Sequence, residues 1–396
     1  MARRYEGNPS GAGLGPTPGL FPPDAMAISP QWRSVILAGF DTFEEISMPN
    51  RRDHRTPTSA SLAAALLCGL LAAPAFLSAQ QPYKILDRWK LGGEGGWDYL
   101  LVDSVAHRLY LTRGARVDVV DTGTGKPVGS IAGLHGTHGI ALDTSGKFGY
   151  ISDGGGNAVV VFDRSTLATV ATIPAGTNPD GIVFEPATQT VWAFNGRSKD
   201  VTVIDTATRK VVATIPLPGK PEFPAVDGQG AVFDNIEDKS EIVRLDAKAL
   251  KLTATWPLTG CDGPSGLAFD VSGARLFPVC DGKKMAVVDS NTGKVLANPA
   301  IGDGPDAAGW DAAHKLAFAS NGTGTLTVID AAALGYPAIE NLPTQFGART
   351  MAYDAAADRI YLVTAEYGPR PAPTPDNPRP RPTIIPGTFV VLVVGR

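Results

Sequence analysis

Residues 201–216 read VTVIDTATRKVVATIP. An alternating apolar run ends on Asp205, a polar turn follows, and a second β-branched run ends on Pro216. That is two short strands joined by a tight turn. Working outward, 181–185 (GIVFE) and 191–195 (VWAFN) add two more strands upstream. The same four-strand phrase recurs along the chain. Acidic residues that close its first strand fall at Asp103, Asp143, Glu185, Asp227, Asp270, Asp311 and Asp354, in steps of 40 to 43 residues. Those that close its third strand fall at Asp121, Asp163, Asp205, Asp246, Asp289 and Asp330, in steps of 41 to 43. Two independent markers share one period, which is the signature of a repeat architecture.

Strands of three to six residues bury little alone. Sheets stacked on their neighbours do better, and a ring of such sheets leaves few open edges. The expected fold is therefore all-β: a seven-bladed β-propeller over 83–396, with four-stranded blades. The seventh unit has strands at Met351–Asp354, Ile360–Val363 and Phe389–Val394 and then stops. Ile85 to Leu91 occupies the place of a missing fourth strand, so the N-terminal strand is expected to close the last blade. An open β-solenoid needs no borrowed strand and has shorter repeats.

The phrases 201–216 and 318–330 (FASNGTGTLTVID) resemble the YVTN, or YncE-like, seven-bladed β-propeller family. The likeness extends over all seven units, with the name-giving tetrapeptide approximated by Tyr361-Leu362-Val363-Thr364. It implies a periplasmic or secreted propeller and little about activity, since members are mostly uncharacterised or proposed as binding proteins.

Two N-terminal segments precede the repeats. Met1 to Ser47 is rich in Gly and Pro without periodicity, and reads as an extension outside the working protein. From Met48, a basic stretch (Arg51, Arg52, Arg55), an apolar run from Leu62 to Leu77 and the small pair Ser78-Ala79 give the pattern of a secretory signal peptide over 48–79. The apolar run of 16 residues falls short of the ~20 that span a bilayer. The mature chain is expected to be exported, with no membrane span. Cys68 lies within that run; Cys261 and Cys280 remain. Cys261 precedes the innermost strand of the fifth unit and Cys280 ends its second strand, so antiparallel pairing brings them into disulfide reach.

The net charge of −4, with no basic stripe, gives nucleic acid no footing. Chemistry is expected where the innermost strands begin. Counting five residues back from each marker acid gives Asp98, His138, Asp180, Glu222, Ser265, Asp306 and Arg349. All are polar and four are acidic. They would ring the mouth of a central channel, where polarity suits either a ligand or plain water. Four carboxylates and an imidazole suit a hard divalent cation such as Ca²⁺, a cationic ligand or a polyhydroxyl one. His135 and His138 in 133–139 (GLHGTHG) form an H-x-x-H pair that, with Asp98 or Asp180, suits Zn²⁺, although such a pair in a glycine-rich loop is commonly structural. Trp97 and Phe223 are placed to stack on a ligand ring or to pack between blades. Glu366 to Gly387 interrupts the last unit with eight prolines in 22 residues and Arg370, Arg379 and Arg381. It reads as an extended basic arm over the mouth or a solvated insertion.

No nucleophile elbow or phosphate-binding glycine motif is present. The leading expectation is a binding or interaction propeller for a small polar ligand or a protein partner. The alternatives are a metal-dependent lactonase-like hydrolase using Glu222, Asp306 and His138 around the cation, and a propeller subunit of a quinoprotein or electron-transfer system. Fold alone does not choose between them.

Overall fold

A computed structural model describes residues 81–372, 374, 380 and 382–396. The expected extension 1–47, the signal peptide 48–79, Cys68, Arg379 and Arg381 lie outside the described residues. Among the described residues the only helical element is the 3₁₀ turn Glu237–Lys239, and no helix is long and apolar enough to cross a membrane.

The marker acids explain the period. Each sits at a strand end, and its carboxylate accepts the N–H groups of the next few residues. Asp205 Oδ1 accepts from the Thr208 N–H at 2.8 Å and from its hydroxyl at 2.6 Å. Asp163 and Asp289 repeat both contacts, while Asp246 and Asp330 accept backbone N–H groups only. The residue four after the acid then takes positive φ, as at Leu167 (61°), Arg209 (56°), Leu250 (51°) and Gly293 (74°). An acid, a hydroxyl residue and a left-handed position make a self-closing turn. The acids of the first series do the same, and several of them are buried: Asp270 accepts from the Gly273 N–H, and Asp354 from those of Ala356 and Ala357.

The strands between these turns pair antiparallel in chain order. Thr190–Asn195 lies between Pro179–Glu185 and Asp200–Asp205, and Lys210–Pro216 forms the outer edge. The repeats at 221–257, 264–297 and 305–343 are built alike. The first two repeats are not separate sheets. Pro127–Leu142 runs as one 16-residue strand, pairing Gly114–Asp121 through its first half and Phe148–Asp153 through its second. The expectation of short strands throughout fails there: Gly133 and Gly136 take positive φ (80° and 148°) and bend the chain, yet pairing continues on both sides of them, with Arg116 opposite Ala132 and Gly114 opposite Thr137. One seven-stranded sheet results, and none of the sheets closes on itself.

The last sheet holds Met351–Asp354, Arg359–Thr364, Val390–Gly395 and then Lys84–Lys90. The N-terminal strand thus pairs with the C-terminal one, Lys84 opposite Gly395 and Lys90 opposite Val390. Tyr83 packs edge-on against Phe318 at 5.5 Å and its N–H donates to Glu340 at 3.1 Å, tying the same end to the preceding repeat. Successive first strands contact one another along the chain, and Met351–Asp354 also touches Leu100–Asp103. The core lies in apolar layers between adjacent sheets, such as Trp192, Phe194, Val203, Val232 and Val243, all fully buried.

Cys261 and Cys280 form a disulfide with Cα atoms 5.4 Å apart, both side chains buried.

Candidate functional site

Six of the seven counted positions stand within two residues of the start of a first strand, His138 lies inside Pro127–Leu142, and neighbouring repeats grip three of them through hydrogen bonds. Ser152 Oγ donates to the Asp180 carbonyl at 2.5 Å while accepting the Gly139 N–H at 2.7 Å. Asn235 Nδ2 donates to the Ser265 carbonyl at 2.7 Å. Ser320 Oγ donates to the Arg349 carbonyl. In each case a second-strand side chain grips the site residue of the next repeat. Glycine makes room for this. A Cβ on Gly181 would fall onto the Glu222 carbonyl oxygen, and one on Gly266 would lie 2.6 Å from that of Asp306.

Three of the residues meet directly. His138 Nδ1 lies 2.6 Å from Asp98 Oδ2 and 3.6 Å from Asp180 Oδ1, and one ligand atom from each lies within 4.8 Å of the other two. Burial works against a charged imidazole here. The hydrogen bond to Asp98 and the charges of Asp180, Asp98 and Glu222 outweigh it and raise the His138 pKa to about 9. The ring is an imidazolium at neutral pH. Burial lifts Asp180 to about 6 against the pull of His138. Burial and the Asp180 charge lift Glu222 to about 8.

The remaining members bring partners of their own. Lys220 Nζ lies 2.5 Å from Glu222 Oε1 and also pairs with Glu237. Arg349 Nε lies 3.3 Å from Asp306 Oδ2. The Ser265 hydroxyl donates to the Pro305 carbonyl at 3.3 Å. His135 is set apart: its Nδ1 lies 3.1 Å from Asp153, with the side chain 70% exposed. Among the described residues it does not join the Asp98–His138–Asp180 group.

Two aromatic residues sit beneath these charges. Tyr99 and Phe223, from the first and fourth repeats, meet edge-to-face at 4.6 Å. Tyr99 is buried, which drives its hydroxyl pKa up, and Glu222, Asp180, Asp306 and Asp98 all add to that shift. One ring therefore feels carboxylates from four repeats. Trp97 packs instead on Phe389 at 5.3 Å and beside Tyr367 at 6.3 Å.

Sequence reasoning missed Lys220, Tyr99 and Asp234. Lys220 stands two residues before Glu222, and Tyr99 one after Asp98, so a wider window around each counted position would have found both. Asp234 lies inside the apolar strand Ala231–Ile236, fully buried, where burial and the charges of Glu222 and Asp180 raise its pKa well above the carboxylate range.

No protein family and no curated protein matches the chain. Solved structures do. Kuenenia stuttgartiensis hydrazine synthase is 17% identical with a TM-score of 0.59, over 67% of this chain and 92% of that one. U3-55K is 9% identical with a TM-score of 0.63, over 78% of this chain and 98% of that one. With the succession of four-stranded antiparallel sheets, these likenesses support one architecture. The fold is that of a β-propeller. At such identities the likeness extends to fold and not to activity.

Proposed function

We propose that the chain is an exported, YncE-like seven-bladed propeller whose N-terminal strand completes the last blade, and that it binds a small cationic or polar ligand at the mouth of its central channel. The pairing of Lys84–Lys90 with Val390–Gly395 and the contact between the first strands of the first and last repeats support the closed ring. The buried disulfide is in keeping with an oxidising compartment.

The observation that carries the ligand site is the meeting of Asp98, His138 and Asp180, residues about forty apart in sequence, in one group within 4.8 Å. In the free protein the His138 proton holds the two carboxylates together. A cation that enters takes over that role and displaces the proton. Asp98, Asp180 and the neutral imidazole of His138 would hold Ca²⁺ or Zn²⁺, and the two carboxylates alone would hold an organic ammonium.

The hydrolase reading has less support. It draws on Glu222 and Asp306 as metal ligands, and these carboxylates are already paired with Lys220 and Arg349. Titration calorimetry of the mature protein with Ca²⁺, Zn²⁺ and putrescine tests the binding reading. One of the three binds with 1:1 stoichiometry, and the double variant Asp98→Asn/Asp180→Asn loses it. Absence of binding by all three removes the site.

A further inference from the structure

A cavity of about 420 Å³ lies beside the acidic group, in the size range of small-molecule pockets. Its wall is aromatic and cationic: Trp97, Phe346, Tyr367, Arg349 and Arg370, with Asp303 at one side. Tyr367 is the centre of the aromatic set. It meets Phe346 edge-to-face at 5.2 Å and stands 6.3 Å from Trp97. Gly347 allows this, because a Cβ there would strike the Tyr367 ring, whose Cε2 would lie 2.7 Å away.

The proline-rich insertion builds this wall. Its described ends are joined: Tyr367 and Ile384 form an antiparallel bridge, the Gly368 N–H donates to the Thr383 carbonyl at 2.8 Å, and the Ile385 N–H donates to the Glu366 carbonyl at 2.9 Å. Below them the Gly387 N–H donates to the Gly93 carbonyl at 3.1 Å, fixing the insertion to the loop that leads to Trp97. The insertion is thus anchored where it borders the cavity.

The charges at the cavity decide its ligand. Asp303 is matched by Lys283 at 3.2 Å, and Arg349 by Asp306 at 3.3 Å. Arg370 is exposed and has no ion pair or hydrogen bond among the described residues. Among the described residues one guanidinium is therefore left over, beside three rings. Guanidinium planes bind carboxylates through paired N–H groups, and aromatic walls take flat rings.

We propose that this cavity binds a planar aromatic carboxylate, its ring against Tyr367 and Trp97 and its carboxylate on Arg370. The site goes beyond the cation site and takes a ligand of opposite charge; Arg349 lines the cavity and pairs with Asp306.

Calorimetry with 2-naphthoate, and with the neutral 2-naphthamide, tests the proposal. Naphthoate binds 1:1, and the naphthamide binds at least about tenfold more weakly. Arg370→Ala and Tyr367→Ala each weaken naphthoate by about tenfold or more, with Arg370→Ala leaving the melting temperature unchanged because its side chain is exposed. Asp98→Asn/Asp180→Asn keeps naphthoate binding, which separates this site from the cation site. No binding of naphthoate at millimolar concentration, equal affinity for the naphthamide, or naphthoate affinity unchanged in both single variants would each overturn it.

Discussion

Gly181 shows how tightly the site is drawn together. Its missing side chain leaves space for the Glu222 backbone of the next repeat. Gly181→Ala forces two first strands apart and is expected to cost about 2 kcal/mol in chemical denaturation. Gly139→Ala, whose Cβ would meet the Ile182 methyl at 2.9 Å and the Asp180 carbonyl oxygen only at 3.2 Å, is expected to cost less. Equal, negligible costs would mean that the strands do not approach this closely. The charged members make a pH prediction of definite sign. Asp180 and Glu222 bind protons more tightly folded than unfolded, at about 6 and about 8. Their contribution is full below the ordinary carboxylate pKa and lost as pH rises through those values. His138, raised to about 9, contributes fully below about 6.5 and loses its contribution as pH rises through 9. All three act in one direction, so the melting temperature should fall steadily from pH 5 to 9.5. Asp180→Asn should flatten the slope, and a melting temperature rising over that interval would contradict the assignment.

At the scale of single elements, two devices hold the first strands in place. The hydroxyl of Ser320 on Leu316–Asn321 ties the Arg349 carbonyl to its own repeat. Ser320→Ala removes one of that carbonyl's two donors, the Ala307 N–H at 3.1 Å remaining, at an expected cost of about 0.5–1.5 kcal/mol. Circular dichroism during urea unfolding would read it, and an unchanged midpoint would count against the tie. The disulfide joins the segment just before the fifth repeat's first strand, Pro264–Asp270, to the end of its second, Arg275–Cys280. Reduction is expected to cost about 2–4 kcal/mol. The repeat period was legible in the sequence because each marker acid, such as Asp205, acts locally and closes its own turn. The disulfide was legible because strand pairing is local too. The 16-residue strand Pro127–Leu142 was not, since Gly133 and Gly136 read equally well as a turn between two short strands and as a bend within one long strand.

Across the molecule, positions such as Asp98 and Asp180 could be found by counting because a repeat delivers equivalent residues to equivalent places. Their partners could not. Lys220 with Glu222, Arg349 with Asp306 and the rings around Tyr367 depend on how side chains from different repeats settle against one another. Ring closure has its own test. Lys84–Lys90 covers the edge of Val390–Gly395, and Arg396 stacks on Tyr83 at 4.6 Å. Removing residues 81–91 bares that edge. Amide exchange at Val391 and Val393, whose N–H groups face the removed strand, should then rise by orders of magnitude. Unchanged protection would place the closing strand elsewhere.

The central claim is that residues from successive repeats converge at one hub. An NMR titration of His138 tests it most directly, because only that convergence sets Asp98 and Asp180 beside the ring. The ring should titrate near pH 9, and Asp98→Asn should bring it back toward 6.5. A His138 that titrates near 6.5 in the unaltered protein would contradict the account.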